Sequence, residues 1–306
     1  MERAKLDRGL IVANYGRHFL VETPEGKRLI CHSRGKKSQG LVGDRVLWQA
    51  SRDEGTIEKI EERRNVFYRQ DEIRTKSFAT NLDQILILIA AEPEFSSSQL
   101  SRALIAAEAE HITPIIALNK SDLVEPFARA WEWLRPYRQM HYGVLPLSLK
   151  QSGDVDHAEL LKLLHGKTTL VLGPSGAGKS TLINLLAPGA LAQTGEISQA
   201  LNSGKHTTTS TTWYWVDADK TTALIDSPGF QEFGLNHIDP AQLAAYMPDL
   251  KPHVANCKFY NCSHLHEPGC GVMAAVKPDG SLDGISANRY KIYSDLYAEL
   301  SQARKY

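Results

Sequence analysis

The sequence lacks any net charge. Its 306 residues include 35 Lys and Arg and 35 Asp and Glu, which excludes a uniformly basic coat of the kind that wraps nucleic acid. Any contact with nucleic acid must therefore come from a local patch. A chain of this length exceeds what one small core requires, so we expect two or three domains.

Long hydrophobic runs are also missing. The apolar run 85–91 is far too short to cross a bilayer. Residues 1–8 carry charges where a signal peptide needs an apolar core. We therefore expect a cytoplasmic protein that does not associate with membranes.

Cysteine is scarce, with four in the chain, so a disulfide framework is not expected. Three of the four lie close together with a histidine, in the pattern Cys257-x4-Cys262-x-His264-x5-Cys270. Three thiolates and one imidazole suffice for a closed tetrahedral Zn²⁺ site, which leaves no position for water and predicts a structural metal. Two alternatives stay open: the thiols are incidental, or His266 supplies the imidazole.

Short β-prone runs dominate the first sixty residues, separated by Gly, Pro and charged residues; they are 10–13, 19–21, 29–31, 45–48 and 56–60. Five strands without a helix favour a small closed barrel, with an OB-fold the common type and an SH3-like barrel the nearest alternative. Residues 1–76 contain 17 Lys and Arg against 12 Asp and Glu. Within this excess, the loop carrying Arg34, Lys36 and Lys37 either meets phosphates or is a solvated turn.

After residue 76, apolar strands alternate with helical segments, a pattern typical of a parallel sheet covered by helices. The predicted strands are 85–90, 115–118, 144–147, 169–172 and 223–226, and the predicted helices are 100–110, 128–137, 157–164 and 180–186. The sheet pattern stops near residue 240. A last helix over 286–302 carries apolar residues at helical spacing, which indicates packing more than a partner surface.

A glycine-rich segment between strand 169–172 and helix 180–186 reads G-P-S-G-A-G-K-S, the pattern of a phosphate-binding loop, or P-loop. Its glycines let consecutive backbone N–H groups point at phosphate oxygens, its lysine supplies a positive charge, and Ser180 offers a hydroxyl to Mg²⁺. The predicted nucleotide contacts are Gly173, Pro174, Ser175, Gly176, Ala177, Gly178, Lys179, Ser180 and Thr181.

A second motif, N-K-S-D, selects the base. It follows strand 115–118, at the end of a parallel strand where open sheets bind ligands. Guanine presents two N–H donors that the carboxylate of Asp122 accepts as a pair, whereas adenine has no such pair. Asn119 can tie this loop to the P-loop, and the stem of Lys120 can lie over the base. The predicted guanine contacts are Asn119, Lys120, Ser121, Asp122 and, from the S-L-K segment after strand 144–147, Ser148.

Two further segments complete the predicted site. The first reads D-S-P-G, so that Asp226 can reach Mg²⁺ through a water and the N–H of Gly229 can face the γ-phosphate. The second, residues 204–209, reads G-K-H-T-T-T, where a threonine hydroxyl could complete the metal shell. We assign nucleotide contacts to Thr208 and Thr209, and the sequence does not decide which threonine binds the metal.

The order of the motifs is rotated. In ordinary small GTPases the P-loop comes first, whereas here N-K-S-D (119–122) and S-L-K (148–150) precede it. This order, the G-K-H-T-T-T and D-S-P-G-F segments and the cysteine cluster resemble the RsgA (YjeQ, YloQ) family of circularly permuted ribosome-associated GTPases across essentially the whole chain. The resemblance implies a multidomain α/β protein: an OB-fold β-barrel (1–70), a circularly permuted P-loop GTPase domain (71–240) and a mainly helical zinc-binding domain (241–306).

The same resemblance implies a function and its partners. It implies a monomer that hydrolyses GTP with Mg²⁺, stimulated by the small (30S) ribosomal subunit and its 16S rRNA during late maturation. Phe230 occupies the position after D-S-P-G, where many GTPases place a water-orienting glutamine, and phenylalanine cannot position water. His206 is the candidate catalytic residue that the resemblance and the chemistry share, because an imidazole can hold a water near the γ-phosphate. Two alternatives stay open: His206 contacts phosphate or RNA without a catalytic role, or a backbone or ribosomal group positions the water. Gln231 is expected to point elsewhere.

Two rival functions are compatible with a P-loop. One is a GTP-gated RNA-binding protein with negligible hydrolysis of its own, which a turnover measurement separates from a GTPase. The other is an ATP-dependent kinase or transporter subunit, against which the N-K-S-D motif argues.

Overall fold

The computed structural model describes residues 6–34, 40–51, 54–150, 154–189, 211–227, 233–277 and 284–302. Its strands are β1 Asp7–Tyr15, β2 His18–Glu22, β3 Arg28–Ser33, β4 Arg45–Ala50, β5 Gly55–Ile60, β6 Val66–Gln70, β7 Thr75–Thr80, β8 Gln84–Ala90, β9 Thr113–Asn119, β10 Gly143–Pro146, β11 Thr168–Leu172, β12 Thr212–Trp215, β13 Ala223–Asp226, β14 Val276–Lys277 and β15 Ile285–Ser286. Its α-helices are α1 Ser97–Ala109, α2 Val124–Trp133, α3 Arg135–Gln139, α4 Asp154–Leu164, α5 Lys179–Leu186, α6 Lys251–Val254, α7 Gly271–Ala274 and α8 Ala287–Gln302, and a 3₁₀-helix spans Pro240–Tyr246. None of these helices combines the length and apolar character needed to cross a membrane.

Strands β1 to β5 form a closed, OB-like barrel. β1, β2 and β3 pair in antiparallel fashion, β3 runs parallel to β5, and β4 pairs with both β5 and β1 to close the ring. The five predicted strands are thus confirmed. The buried side chains that fill the barrel include Ile11, Phe19, Val21, Val46, Trp48 and Ile57. A Cβ atom on Gly55 would lie 2.5 Å from Sγ of Cys31, so close packing requires glycine there.

An antiparallel hairpin of β6 and β7 follows the barrel and was not predicted. The ring of Phe67 lies 5.7 Å from those of Phe78 and Phe233. The backbone N–H of Gln70 donates to the carbonyl oxygen of Gly234 at 3.0 Å. The hairpin is therefore stabilised by residues far along the chain, which a local sequence pattern does not reveal.

The central sheet has the order β10-β9-β8-β11-β13-β12, with β12 antiparallel and the other strands parallel. Every residue of β8 is buried, because helices cover both faces of the sheet. Ile85 and Ile87 share one core cluster with residues of α1, while Leu86 and Leu88 share another with residues of α4 and α5. The predicted parallel sheet is confirmed.

Two further elements differ from the sequence prediction. The helix predicted over 128–137 is two helices, α2 and α3, that meet at Leu134. Pro136 explains the break, since a proline has no N–H and clashes with the preceding turn of a continuing helix. β12, which was not predicted although it reads T-W-Y-W, pairs with the barrel at Ala13 and Thr212 and makes one continuous eleven-stranded sheet.

The C-terminal helix α8 packs against the rest of the protein. Ile292, Leu296 and Leu300 are buried, which confirms the packing predicted from their spacing. Arg289 is also buried and forms a bidentate ion pair with Asp249, at 2.8 and 3.0 Å. This anchoring fixes α8 within the fold.

Candidate nucleotide site and metal centre

The P-loop occupies the turn between β11 and α5, where the sequence predicted it. A Cβ atom on Gly173 would lie 2.2 Å from the carbonyl oxygen of Leu88. Gly178 has φ of +107°, and a Cβ there would lie 2.5 Å from Nδ2 of Asn119. Both positions therefore require glycine.

The remaining P-loop residues are arranged around this turn. Ala177 is buried, and α5 begins at Lys179, so that the lysine and the two hydroxyl residues after it occupy its first helical turn. The N-terminus of a helix favours anions because its free N–H groups and dipole point outward. The loop is therefore shaped for phosphate oxygens.

Asn119 joins the base-selecting loop to the P-loop. Its Nδ2 donates to the carbonyl oxygen of Ala177 at 2.8 Å, and its Oδ1 accepts from the backbone N–H of Leu149 at 3.1 Å. The side chain is 4% exposed. One buried amide thus connects three loops that are separate in sequence, in the manner predicted for this asparagine.

Asp122 lies beside the S-L-K segment. The hydroxyl of Ser148 donates to Oδ1 of Asp122 at 2.8 Å, and the backbone N–H of Ser121 donates to the carbonyl oxygen of Leu147 at 2.9 Å. Lys120 adopts φ of +68°, and its ammonium group donates to the carbonyl oxygen of Glu92. The four N-K-S-D residues and Ser148 are therefore brought together at the carboxyl end of the sheet.

Asp226 ends β13 in a buried position and fits a magnesium site. Burial raises the pKa of its carboxyl group to about 6, against the lowering effect of Lys179. Among the described residues its buried Oδ1 has no hydrogen-bond partner. A buried carboxylate oxygen without a hydrogen-bond donor is a suitable ligand for a hard divalent cation, either directly or through a water.

Ser227 follows Asp226 and was assigned no role from the sequence. Its hydroxyl donates to the carbonyl oxygen of Val171 at 3.0 Å and holds the start of the D-S-P-G segment against β11. The motif itself was the available signal. Six residues considered for the site lie outside the described residues: His206, Thr208, Thr209, Gly229, Phe230 and Gln231.

The cysteine cluster forms a second site. The ligand atoms of Cys257, Cys262, His264 and Cys270 all lie within 4.8 Å of one another. Nδ1 of His264 is 3.4 Å from Sγ of Cys257 and 3.5 Å from Sγ of Cys270, and these two sulfurs are 3.9 Å apart. Around a tetrahedral Zn²⁺ we expect about 3.6 Å between sulfur and nitrogen and about 3.8 Å between sulfurs. The arrangement therefore fits an ion of this size.

The histidine that lies with the three cysteines is His264 and not His266. His264 is 5% exposed and points its Nδ1 at the sulfurs, whereas His266 is exposed and lies outside the cluster. The sequence left both histidines open because they differ by only two positions.

Three further residues orient the loop between Cys262 and Cys270, and the sequence analysis did not identify them. Although burial opposes it, hydrogen bonds from Ser263 hold the pKa of Glu267 well below its usual range. Tyr290 and Tyr293 on α8 donate to the carbonyl oxygens of His264 and Ser263, at 2.7 and 2.8 Å. These contacts orient the loop that presents the imidazole, and the tyrosines' spacing of three on a helix was the only available signal.

Comparison with known proteins gives the same picture. The family model described as RsgA GTPase matches residues 60–236. The protein named small ribosomal subunit biogenesis GTPase RsgA in Variovorax paradoxus (strain S110) is 76% identical over 296 residues, which cover 97% of this chain and 93% of that protein. The protein of the same name in Paraburkholderia xenovorans (strain LB400) is 49% identical over 299 residues, covering 96% and 93%.

Two solved structures share the fold. YloQ, described as a circularly permuted GTPase, is 28% identical with a TM-score of 0.71, covering 100% of this chain and 98% of that chain. YjeQ from Thermotoga maritima is also 28% identical with a TM-score of 0.71, covering 97% and 99%. The rotated motif order, the joined loops and these matches agree, and the chain belongs to the RsgA GTPase family.

Proposed function

We propose that this protein hydrolyses GTP and serves as an assembly factor in the late maturation of the small (30S) ribosomal subunit. The observation that carries the GTP site is the joint made by Asn119, which holds a guanine-type loop against a phosphate-type loop. The ribosomal role is supported by the printed names of the relatives. The protein binds the subunit and its 16S rRNA in the GTP state and leaves after hydrolysis.

The nucleotide is held by groups of complementary chemistry. The carboxylate of Asp122 accepts the two N–H donors of guanine, and the hydroxyl of Ser148 keeps that carboxylate oriented. Backbone N–H groups of the P-loop bind the phosphates, and Lys179 neutralises part of their charge. Base selection and phosphate binding are thus coupled through one asparagine.

Magnesium is the proposed cofactor of hydrolysis. Ser180 and Asp226 would hold it, Asp226 through the buried oxygen that lacks a partner; Thr208 or Thr209 would complete the shell. A magnesium ion held there would supply positive charge that offsets the negative charge of the phosphates. His206 would hold the attacking water, since Phe230 cannot, and Gly229 would face the γ-phosphate.

Zinc is the proposed metal of the cysteine cluster. Three thiolates with one imidazole form a ligand set that zinc favours, and four protein ligands leave no open position for catalysis. The metal would therefore stabilise a segment that has little core of its own.

The proposed domains are a barrel (1–70), a GTPase domain (71–240) and this zinc domain (241–306). We propose that the protein is a cytoplasmic monomer.

The decisive experiment measures GTP hydrolysis with and without purified small ribosomal subunits. In parallel, co-sedimentation with the subunits is compared in GDP and in a nonhydrolysable GTP analogue. We expect stimulated turnover and tighter binding in the analogue. Nucleotide-dependent sedimentation without turnover would instead identify a GTP-gated RNA-binding protein, and the absence of both effects would refute the ribosomal role.

A further inference from the structure

Two side chains of α1 hold the backbone of Phe233. Oε1 of Gln99 accepts a hydrogen bond from the backbone N–H of Phe233 at 3.2 Å. Nη1 of Arg102 donates to the carbonyl oxygen of the same residue, also at 3.2 Å. Gln99 and Arg102 are three positions apart and therefore lie on one face of the helix. We call Gln99, Arg102 and Phe233 the Phe233 clamp, since both backbone polar groups of one residue are bound to α1.

The ring of Phe233 is fixed as well. It is 1% exposed, and its centroid lies 5.7 Å from that of Phe67 and 6.0 Å from that of Phe78. The next residue, Gly234, has no room for a side chain, because a Cβ atom there would lie 2.5 Å from the carbonyl oxygen of Gln70. Residue 233 is therefore bound to the β6–β7 hairpin as well as to α1.

An ion pair with α8 orients the arginine of the Phe233 clamp. Nη1 of Arg102 donates to Oε1 of Glu299 at 2.9 Å, and its Nη2 donates to Oε2. A guanidinium is planar and Nη1 carries two N–H groups, so this nitrogen can serve the carboxylate and the carbonyl oxygen of Phe233 together. The side chain of Arg102 is only 15% exposed. Its donors are thus held in one direction by contacts with two other elements.

The Phe233 clamp follows the D-S-P-G segment closely in the chain. The hydroxyl of Ser227 donates to the carbonyl oxygen of Val171, which holds the start of this segment. Residues 228–232 then connect Ser227 to Phe233, and they include Gly229, which is predicted to face the γ-phosphate. A short segment tethered at both ends has fewer accessible conformations than one tethered at a single end. The clamp is therefore the second anchor of the D-S-P-G segment.

We propose that Arg102 and Gln99 are positioning residues for GTP hydrolysis, which act by fixing the end of the D-S-P-G segment through Phe233. Neither side chain touches the nucleotide in this proposal. Hydrolysis depends on the accurate placement of groups around the γ-phosphate, whereas GDP has no such phosphate. Loss of the clamp should therefore slow turnover and weaken binding of a GTP analogue while GDP binding is retained. The inference rests on the proposed hydrolysis of GTP.

The test compares Arg102→Met with the unmodified protein, both full-length and with Mg²⁺. It measures kcat and KM for GTP, together with the affinities for GDP and for a nonhydrolysable GTP analogue. We expect kcat to fall by about tenfold to a hundredfold and the analogue to bind about fivefold more weakly, with GDP affinity unchanged. Arg135→Met removes a half-exposed arginine of α3 and is the control; it should change none of these values.

A charge exchange separates positioning from stability. The double variant Arg102→Glu, Glu299→Arg restores an ion pair between α1 and α8, but a glutamate at position 102 cannot donate to the carbonyl oxygen of Phe233. We expect its unfolding midpoint to return towards that of the unmodified protein while kcat stays low. Recovery of kcat together with stability would overturn the proposal, because the donor at position 102 would then be dispensable.

Unchanged kcat of Arg102→Met, with an unchanged ratio of analogue affinity to GDP affinity, would also overturn it. Should Arg102→Met fail to fold, Gln99→Leu decides by the same measurements, since it removes one bond of the Phe233 clamp and leaves the ion pair with Glu299 intact. Absence of turnover in the unmodified protein would refute the proposed hydrolysis. The ratio of analogue affinity to GDP affinity in the variants would then test the clamp by itself.

Discussion

Single side chains hold the predicted nucleotide loops together. Asn119 acts as both donor and acceptor between loops, and the amide would collide with any side chain at position 178, where Gly178 stands. The two sequence motifs predicted both residues. The structure adds that the amide of Asn119 fits only because position 178 has no side chain. Substitutions of single side chains in these loops should therefore change nucleotide affinity more than they change the fold.

Asp122→Asn should shift the base preference from guanine to xanthine. The amide cannot accept both N–H donors of guanine, but it can pair with the xanthine carbonyl oxygen. We expect GDP affinity to fall by about tenfold to a hundredfold and xanthosine diphosphate affinity to rise. Fluorescent nucleotide titration measures both, with Glu125→Gln on the exposed start of α2 as the control. Equal loss of both nucleotides would contradict the assigned role.

The raised pKa of Asp226 predicts a pH dependence in the metal-free protein. Its carboxyl has a pKa of about 6 in the fold against 3.8 normally, so the folded state holds the proton more tightly. The contribution of this group to the free energy of unfolding is therefore most favourable below about pH 4. It falls by roughly 3 kcal/mol as the pH rises through about 6. Asp226→Asn should remove this loss.

The corresponding measurement is denaturant unfolding between pH 4 and 7 with and without Mg²⁺–GDP. At pH 7 the metal-free Asp226→Asn variant should be more stable than the unmodified protein, while Mg²⁺ should no longer tighten its nucleotide binding. Equal stability of the two proteins across this range would show that Asp226 is not penalised by burial.

Short elements of the C-terminal region are expected to depend on the proposed metal and on α8. Helices α6 and α7 have only four residues each, too few to be stable alone. The cysteine cluster lies between them, and Tyr290 and Tyr293 from α8 hold its loop. The loop between Cys262 and Cys270 is therefore expected to fold together with α8 as one unit.

Cys270→Ser should lose the metal, whereas His266→Ala should keep it. Removal of one thiolate leaves three ligands, two of them half-buried thiols, without their ion, and we expect the unfolding midpoint to fall by roughly 5 °C or more. Metal content by atomic absorption and thermal unfolding test both variants. Loss of metal in His266→Ala would contradict the ligand set.

Arg289→Met should destabilise the protein far more than Lys291→Met. Arg289 is 3% exposed, and its loss leaves the carboxylate of Asp249, which is only 12% exposed, without its cation; breaking a buried pair in this way costs about 3–5 kcal/mol. Lys291 forms an exposed pair with Asp295 on the same helix, worth about 0.3–0.5 kcal/mol. Chemical denaturation of both variants gives the comparison. Similar losses would show that the buried pair does not anchor α8.

At the level of the whole molecule, the barrel and the GTPase sheet are one continuous structure. β1 pairs with β12, which begins shortly after the predicted G-K-H-T-T-T loop. Glu22 at the end of β2 accepts hydrogen bonds from Lys220, Arg28 and Trp215, at 2.6, 2.8 and 2.8 Å. The barrel is therefore connected directly to the strand that follows the predicted G-K-H-T-T-T loop.

Glu22→Gln should uncouple the barrel from the GTPase sheet. The amide keeps the volume but loses the charge that holds two cations, so stimulation of hydrolysis by small subunits should fall by roughly two- to thirtyfold. Hydrolysis without subunits should be unchanged, since Glu22 contacts Trp215, at the opposite end of β12 from Thr212, which pairs with Asp226. Glu25→Gln in the adjoining exposed loop is the control. Unaltered stimulation would exclude this route.

The sequence by itself determined the barrel strands, the parallel sheet, both nucleotide motifs, their rotated order and the four metal-binding residue types. Each of these is encoded locally, by strand alternation, by glycines in a turn or by ligand spacing. Tertiary structure alone decided the choice of His264 over His266, the hairpin that packs on Phe233, and the ion pairs of Glu22 and Arg289. These features depend on contacts between residues far apart in the chain, and no local pattern records which distant residues meet.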